Sequence, residues 1–383
     1  MNYNVKRTNF ARPKICGTIA IIACVLLMSC DKQPNDEQEK VICPGDSSLR
    51  GFFLLNEGGL SENNSTLDYF DYASGNYSTD IFSQKNPSVV GGLGSLGNDL
   101  QIYGDKLYAA INGSNLVEVM NVNDAKHIKA ITVANCRFIA FHGGNAYVSS
   151  YMGEVDENDI YRGKIVRIDT ASLNITGQCI VGYQPEGIAI RGDKLYVANS
   201  GWERKMAGGS YDSTVSVIDL VNFTKIKDIN VAINLNFIIS DASGKLYVNS
   251  FGDFVNVGSD VFVIDANDQV ERLDIRADNM TVDDDFLYAY SNAWDIAANA
   301  SVASYVLYNT KTKSIVPGGF ITDGTQLILP NGIAINPETK EIFLADAEDR
   351  SNSGKLYCFS HDGKQKWTRR TGVVPRSITF TKN

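Results

Sequence analysis

The stretch DKLYVANSGWERKMAGGSYDSTVSVIDLVNFTKIKDINV, Asp193–Val231, decides the fold. It carries three strand signals. Lys194–Ser200 and Thr214–Leu220 are rich in β-branched and aromatic residues, and Ile226–Val231 alternates apolar with polar side chains. The connections differ in kind: GWERKMAGGSYDS is long and glycine-rich, whereas VNFTK has the length of a hairpin turn. Just upstream, Gly187–Ile190 (GIAI) reads as a fourth short strand. Four antiparallel strands in about 45 residues cannot bury both faces of their sheet alone, so the unit must stack against copies of itself.

The copies follow from aligning Tyr196 with Phe53, Tyr108, Tyr147, Tyr247, Tyr288 and Phe343, seven positions spaced about 48 residues apart on average. Each begins a strand that is followed by another, such as NLVEVMNV, GKIVRIDT or GKLYCFSH. Short innermost strands also count to seven, from NDLQIY (Asn98–Tyr103) to RSITF (Arg376–Phe380). Their order is informative: the first copy has no inner strand ahead of it, and the chain ends on an inner strand with nothing after it. Pairing the last strand with the first copy closes a ring and removes the exposed sheet edges. The sequence therefore predicts an all-β, seven-bladed β-propeller of four-stranded antiparallel blades over residues 49–383. The aromatic that opens each copy is expected to pack between blades.

Residues 1–29 stand apart from this fold. Lys6, Arg7, Arg12 and Lys14 precede a largely apolar run, Ile15–Met28, too short to span a bilayer comfortably, and Leu27-Met28-Ser29-Cys30 ends it with small residues before a cysteine. This resembles the bacterial lipoprotein signal, which implies that Cys30 becomes the lipidated N-terminus and that the membrane is met through that anchor only. Within residues 30–48, Cys30 is followed by DKQPNDEQEK (Asp31–Lys40), a solvated tether that also resembles the acidic segment directing some lipoproteins to the outer face of the outer membrane. Without residues 1–29 the net charge moves from −9 to −13, a balance that argues against a nucleic-acid partner. Cys43, Cys136, Cys179 and Cys358 fit no metal motif and read as small buried hydrophobes.

In a propeller the loop after each aromatic strand and the loop leading into the next inner strand open on one face. That face is heavily loaded here, with YMGEVDENDIYRG, GWERKMAGGSYDS, FGDFVNVGS and NAWDIAANASV, whereas the other face has tight Asp/Gly/Asn turns. Candidate ligand-binding residues on the long-loop face are Asn56, Asn112, Tyr151, Trp202, Arg204, Tyr211, Phe251, Phe254 and Trp294, aromatics set among amides. Asn199, Asn249, Asn292 and Asn331 sit at related positions. Such a set suits a large, partly apolar ligand with hydrogen-bonding groups. The segment Gly91–Gly94 is expected to form a flexible rim. Catalytic patterns are weak: His127, His142 and His361 have no metal or triad spacing, and the acidic groups Asp156, Glu157, Asp346, Glu348 and Asp349 read as solvated loop tips. No catalytic residue, resident metal or cofactor is expected, and the chain reads as no enzyme.

The repeat G-x-LYVANS…TVSVID-x-x-T…I-x-V resembles the YncE-like, surface-layer-type seven-bladed propellers over Gly51–Phe380. More narrowly, the lipoprotein signal, LLNEG with SENNSTLDYFD, the run NDLQIYGDKLYAAINGSN and FITDGT with PNGIAI are together similar to the BtuG-type surface lipoproteins encoded with TonB-dependent vitamin B12 transporters. That resemblance implies a cell-surface, outer-membrane lipoprotein that captures cobalamin or another corrinoid, as ligand rather than cofactor, and hands it to a TonB-dependent transporter. Two other classes stay open: a glycan- or polymer-binding propeller using Trp202 and Trp294 as stacking platforms, and a metal-dependent propeller hydrolase or lyase.

Overall fold

The computed structural model describes residues 48–156, 160–295 and 300–382. The signal, Cys30, the tether, Cys43 and Glu157 lie outside the described residues, as does the side chain of Trp294. The described chain forms seven sheets of four antiparallel strands arranged as the blades of a propeller. Within each blade the strands are named a to d from the axis outward. Strand a is Pro375–Lys382 in blade 1, then Gly97–Tyr103, Cys136–His142, Pro185–Arg191, Leu235–Ser240, Asn279–Asp283 and Pro330–Ile335 in blades 2 to 7. The C-terminal strand pairs with Leu49–Asn56, strand b of blade 1, placing Phe52 opposite Phe380 and Phe53 opposite Thr379. The expected closure of the ring is thus present.

The seam is aromatic. Phe52 is fully buried and meets Phe70, Phe343 and Phe380 with ring centroids 5.2, 4.9 and 6.0 Å away, while Trp367 stacks on Phe70 at 5.3 Å. One residue therefore packs at once on its own blade, on the closing strand and on blade 7. The aromatics that open the seven copies are buried too: Phe53, Tyr108, Tyr147, Tyr196, Tyr247, Tyr288 and Phe343 each lie in a cluster filling the space around strand b. Near the axis the blades crowd together. A Cβ on Gly332 of blade 7 would stand 1.9 Å from the Arg376 carbonyl oxygen of blade 1, so only glycine lets these two inner strands meet.

Two departures from the expected pattern occur on the long-loop face. The loop after strand b of blade 4 (Lys194–Asn199) carries a short helix, Trp202–Met206. In blade 1 strand d is only Tyr77–Ser78, and the helix Ile81–Lys85 follows it, burying Ile81 and Phe82. Leu93 joins that same cluster, so Gly91–Gly94 is a packed corner and not a flexible rim. Its glycines sit at φ 88°, 62° and 111°, which lets the chain turn Leu93 inward. Cys136, Cys179 and Cys358 are buried.

Candidate functional site

The site begins with a repeated backbone irregularity. In six blades the pairing of strands a and b slips by a residue directly after its first pair, for example between Pro185 and Ile188 or between Cys136 and Ile139. A bulge of this kind re-aims the side chain it carries. Reading the seven inner strands in this register puts Asn98, Arg137, Glu186, Asn236, Asn279, Asn331 and Arg376 at equivalent places, a polar collar on the long-loop side of the axis.

Most of the collar is hydrogen-bonded from blade to blade. Asn331 donates to the Pro375 carbonyl (3.1 Å), Arg376 Nε to the Asn98 carbonyl (2.9 Å) and Asn98 to the Arg137 carbonyl (2.7 Å). Arg137 Nε pairs with Glu186 at 2.8 Å, and Tyr151 donates its hydroxyl to the same carboxylate. The run therefore passes from blade 7 through 1, 2 and 3 to blade 4. At blades 5 and 6 it lapses. The Asn236 side chain makes no hydrogen bond among the described residues, and Asn279 turns its oxygen to the neighbouring Met280 N–H at 2.7 Å.

A cleft of about 860 Å³ opens over that gap. Arg137, Asn236, Asn279, Asn331 and Arg376 form its floor, together with Phe237. Its sides come from blades 5 to 7: the loop residues Phe251, Phe254, Val255, Val257, Arg276 and Arg350, and Asn292 on the strand Phe286–Asp295. Phe237 is held edge-on against Phe138 (5.4 Å), with the Arg376 guanidinium 5.9 Å from its ring. Phe237, Asn279 and Arg376 also line a smaller space of about 230 Å³ farther down the axis. That lower space contains Asp99, whose carboxyl is pushed up by burial while the N–H groups of Ile139 and Leu100 draw it back. In the cleft itself Asp278 is likewise raised by burial, opposed by hydrogen bonds from Asn292.

The residues singled out in the sequence divide into two groups. Asn56 is fully buried and spends its amide on Thr66 (3.0 Å); Asn112 donates across to the Cys136 carbonyl (3.0 Å); Tyr151 is buried on Glu186. Asn56 joins two strands of blade 1, while the half-buried Asn112 and the buried Tyr151 each reach the next blade. Asn199 and Asn249 are fully buried, with Asn249 reaching the Ala277 carbonyl of the next blade at 2.9 Å. The other group forms a chain of rings between blades 4 and 5. Trp202 faces Tyr211 at 6.2 Å and Phe254 at 5.7 Å, Phe254 faces Phe251 at 6.3 Å, and the last two line the cleft. Arg204 lies 4.3 Å over the Tyr183 ring, beside this chain.

Sequence reasoning missed the arginines. Arg137 and Arg376 were visible as the second residue of an inner strand, and aligning those strands by their first paired residue would have exposed the collar. Arg276 and Arg350 carry no such signal, since each sits in a loop without counterpart in the other blades. Among the described residues no group of three or more His, Cys, Asp or Glu could hold a metal ion. Asp346 is buried on the Ile328 and Leu329 N–H groups, and Glu348 pairs with Lys355 and Arg370. Both correct the solvated-tip reading, since the fold uses these carboxylates as backbone and ion-pair partners.

Residues 50–367 match the family described as Domain of unknown function (DUF5074). The chain belongs to the DUF5074 family. Solved structures similar to this DUF5074 propeller include a quinonprotein alcohol dehydrogenase-like protein from Bacteroides thetaiotaomicron VPI-5482, with a TM-score of 0.60 and 16% identity over 87% of this chain and 78% of that one. Apo AztD from Citrobacter koseri gives a TM-score of 0.54 and 12% identity over 88% and 99%. At such identities the likeness of the DUF5074 propeller to either structure speaks to fold alone. No curated protein matches the sequence.

Proposed function

We propose that this propeller is a capture protein that binds a bulky small molecule in the cleft over blades 5 to 7, with cobalamin or a related corrinoid as the first ligand to try. The observation that carries the reading is the lapse in the collar: the Asn236 side chain has no hydrogen bond among the described residues and that of Asn279 bonds within its own blade, under a wide opening with aromatic lining. A corrin ring is broad and rimmed by amide groups, so it can exchange hydrogen bonds with Asn236 and Asn279 while covering Phe251 and Phe254. The lipoprotein signal supports anchorage at the outer-membrane surface, where handing ligand to a TonB-dependent transporter would be the consequence. No catalytic step is assigned to the site.

Isothermal titration of the purified propeller with cyanocobalamin and with dicyanocobinamide at micromolar protein tests the ligand. A saturable one-to-one heat is expected; heat equal to that of buffer removes the corrinoid and leaves the cleft. A second reading, glycan or polymer binding, is favoured by the exposed rings of Trp202 and Phe254, since exposed ring faces suit sugars. Trp202→Ala separates the two. Under the capture reading it weakens corrinoid binding only slightly, because Trp202 lies outside the cleft lining, whereas under the second it abolishes retention on polysaccharide.

A further inference from the structure

We infer that the cleft takes the anionic group of an amphipathic ligand: phosphate, carboxylate or sulfonate oxygens held by Arg276 and Arg350 beside an apolar wall of Phe254, Val255 and Val257. The inference deepens the capture reading and rests on it.

Charge supplies the first argument. The chain is acidic, with a net charge of −9, and the two arginines of the cleft floor already have carboxylates: Arg137 pairs with Glu186 at 2.8 Å and Arg376 with Glu57 at 3.3 Å. Arg276 and Arg350 line the same cleft, are exposed, and their side chains have no hydrogen bond or ion pair among the described residues. Asp278 is the single carboxylate among the described residues that line the cleft, and it is engaged by Asn292. Two unspent guanidinium forks lining one cavity form a receptor for oxyanions, since each offers parallel N–H donors that match oxyanion geometry.

The apolar part of the lining supplies the second. Asp253 folds its loop back on itself, its carboxylate accepting the N–H groups of Val255, Asn256 and Val257 at 3.0, 2.7 and 2.7 Å. This turn holds Phe254 at φ 62°, a left-handed conformation that a bulky residue rarely adopts, and leaves Phe254 64% and Val255 84% exposed. An apolar run displayed at a strained backbone, in the same cleft as two unpaired guanidinium groups, matches a ligand with one apolar face and one anionic group. Neither a bare inorganic anion nor a neutral sugar uses both features.

The test uses a generic pair of probes. 8-Anilinonaphthalene-1-sulfonate carries an aromatic body and a sulfonate, and N-phenyl-1-naphthylamine is the same body without the charge. The propeller is expected to prefer the sulfonate, and Arg276→Gln with Arg350→Gln is expected to weaken it by about tenfold or more while leaving the neutral probe and the melting midpoint unchanged. Failure of the sulfonate to bind, equal binding to both proteins, or an equal loss for the neutral probe overturns the inference. Corrinoids then separate it from the reading beneath it, because cyanocobalamin has a phosphodiester that cobinamide lacks. Arginine-dependent sulfonate binding without heat from either corrinoid keeps the anion receptor and removes the corrinoid. Equal binding of both corrinoids, untouched by the double substitution, keeps the corrinoid and removes the receptor.

Discussion

The two faces of this ring are built under opposite rules. On the tight face, the turn between strands c and d starts in blade after blade with a side chain that accepts a backbone N–H two or three residues on: Asp71, Asn121, Asp169, Asp219, Asp265 and Asn309. The same local solution recurs because it closes a short turn without help from any other blade. On the long-loop face no two loops agree. One holds a helix, one is folded around Asp253, and the arginines of the cleft come from loops of different origin. Even the collar, one position per blade, changes from amide to arginine to carboxylate around the axis. Repetition marks what holds the ring together, and departure from it marks where the ring meets something else.

The sharpest way to break this comparison is to remove scaffold and watch both properties fall. Deleting Pro375–Lys382 strips blade 1 of its inner strand and opens the ring at its aromatic seam, and loss of a cooperative melt is expected. Phe52→Ala measures the seam in a milder way: a fully buried ring packed on four aromatic neighbours should cost about 3–5 kcal/mol in denaturant unfolding. A loss under 1 kcal/mol would show that closure does not depend on this packing.

A titration separates the faces next. Glu118 is buried in blade 2 with one oxygen 2.5 Å from His127 Nδ1, and burial raises its carboxyl to about 7 although the histidine draws it down. The folded state therefore holds this proton more tightly than the unfolded chain. Its contribution to stability is full below about pH 4.5, the ordinary value, and is lost as pH rises to about 7. Relative to Glu118→Gln, the wild type should lose up to about 3 kcal/mol across that window and remain parallel outside it, as read by melts between pH 4 and 8. Ligand affinity should not follow, because the pair lies in the outer strands. A matching pH slope in binding would mean that scaffold and cleft are coupled.

How far the sequence carried the argument depends on the same division. The ring, its closure and the buried aromatics were legible because each is stated seven times, so Tyr196 could be read through Tyr108 and Tyr247. The asparagines show where repetition misleads. Asn56, Asn112, Asn199 and Asn249 recur at strand ends and suggested a ligand face, but recurrence placed them in the stack, where their amides join strands and blades. Phe251 and Phe254 were found as loop aromatics, and they do line the cleft. Arg276 and Arg350 could not be found, because what distinguishes them is the lack of a partner in space.

The smallest effect is expected at Phe254, and its sign is informative. With φ at 62° and 64% of the side chain exposed, this residue contributes little packing while holding a backbone conformation that glycine adopts freely. Were the loop mere connection, Phe254→Gly would be an improvement without consequence. Relief of the strain should raise unfolding free energy by about 0.5–1 kcal/mol, less whatever is lost to the greater freedom of glycine in the unfolded chain. The contacts that remain to be lost are those with Trp202 and Phe251 at 5.7 and 6.3 Å, both at the rim. Affinity for the amphipathic sulfonate probe should fall several-fold in the same variant, and the neutral probe should fall with it, since the wall serves both. A variant that is more stable and binds worse would show that the strain is kept for the ligand; one that is less stable and binds as before would assign Phe254 to the scaffold after all.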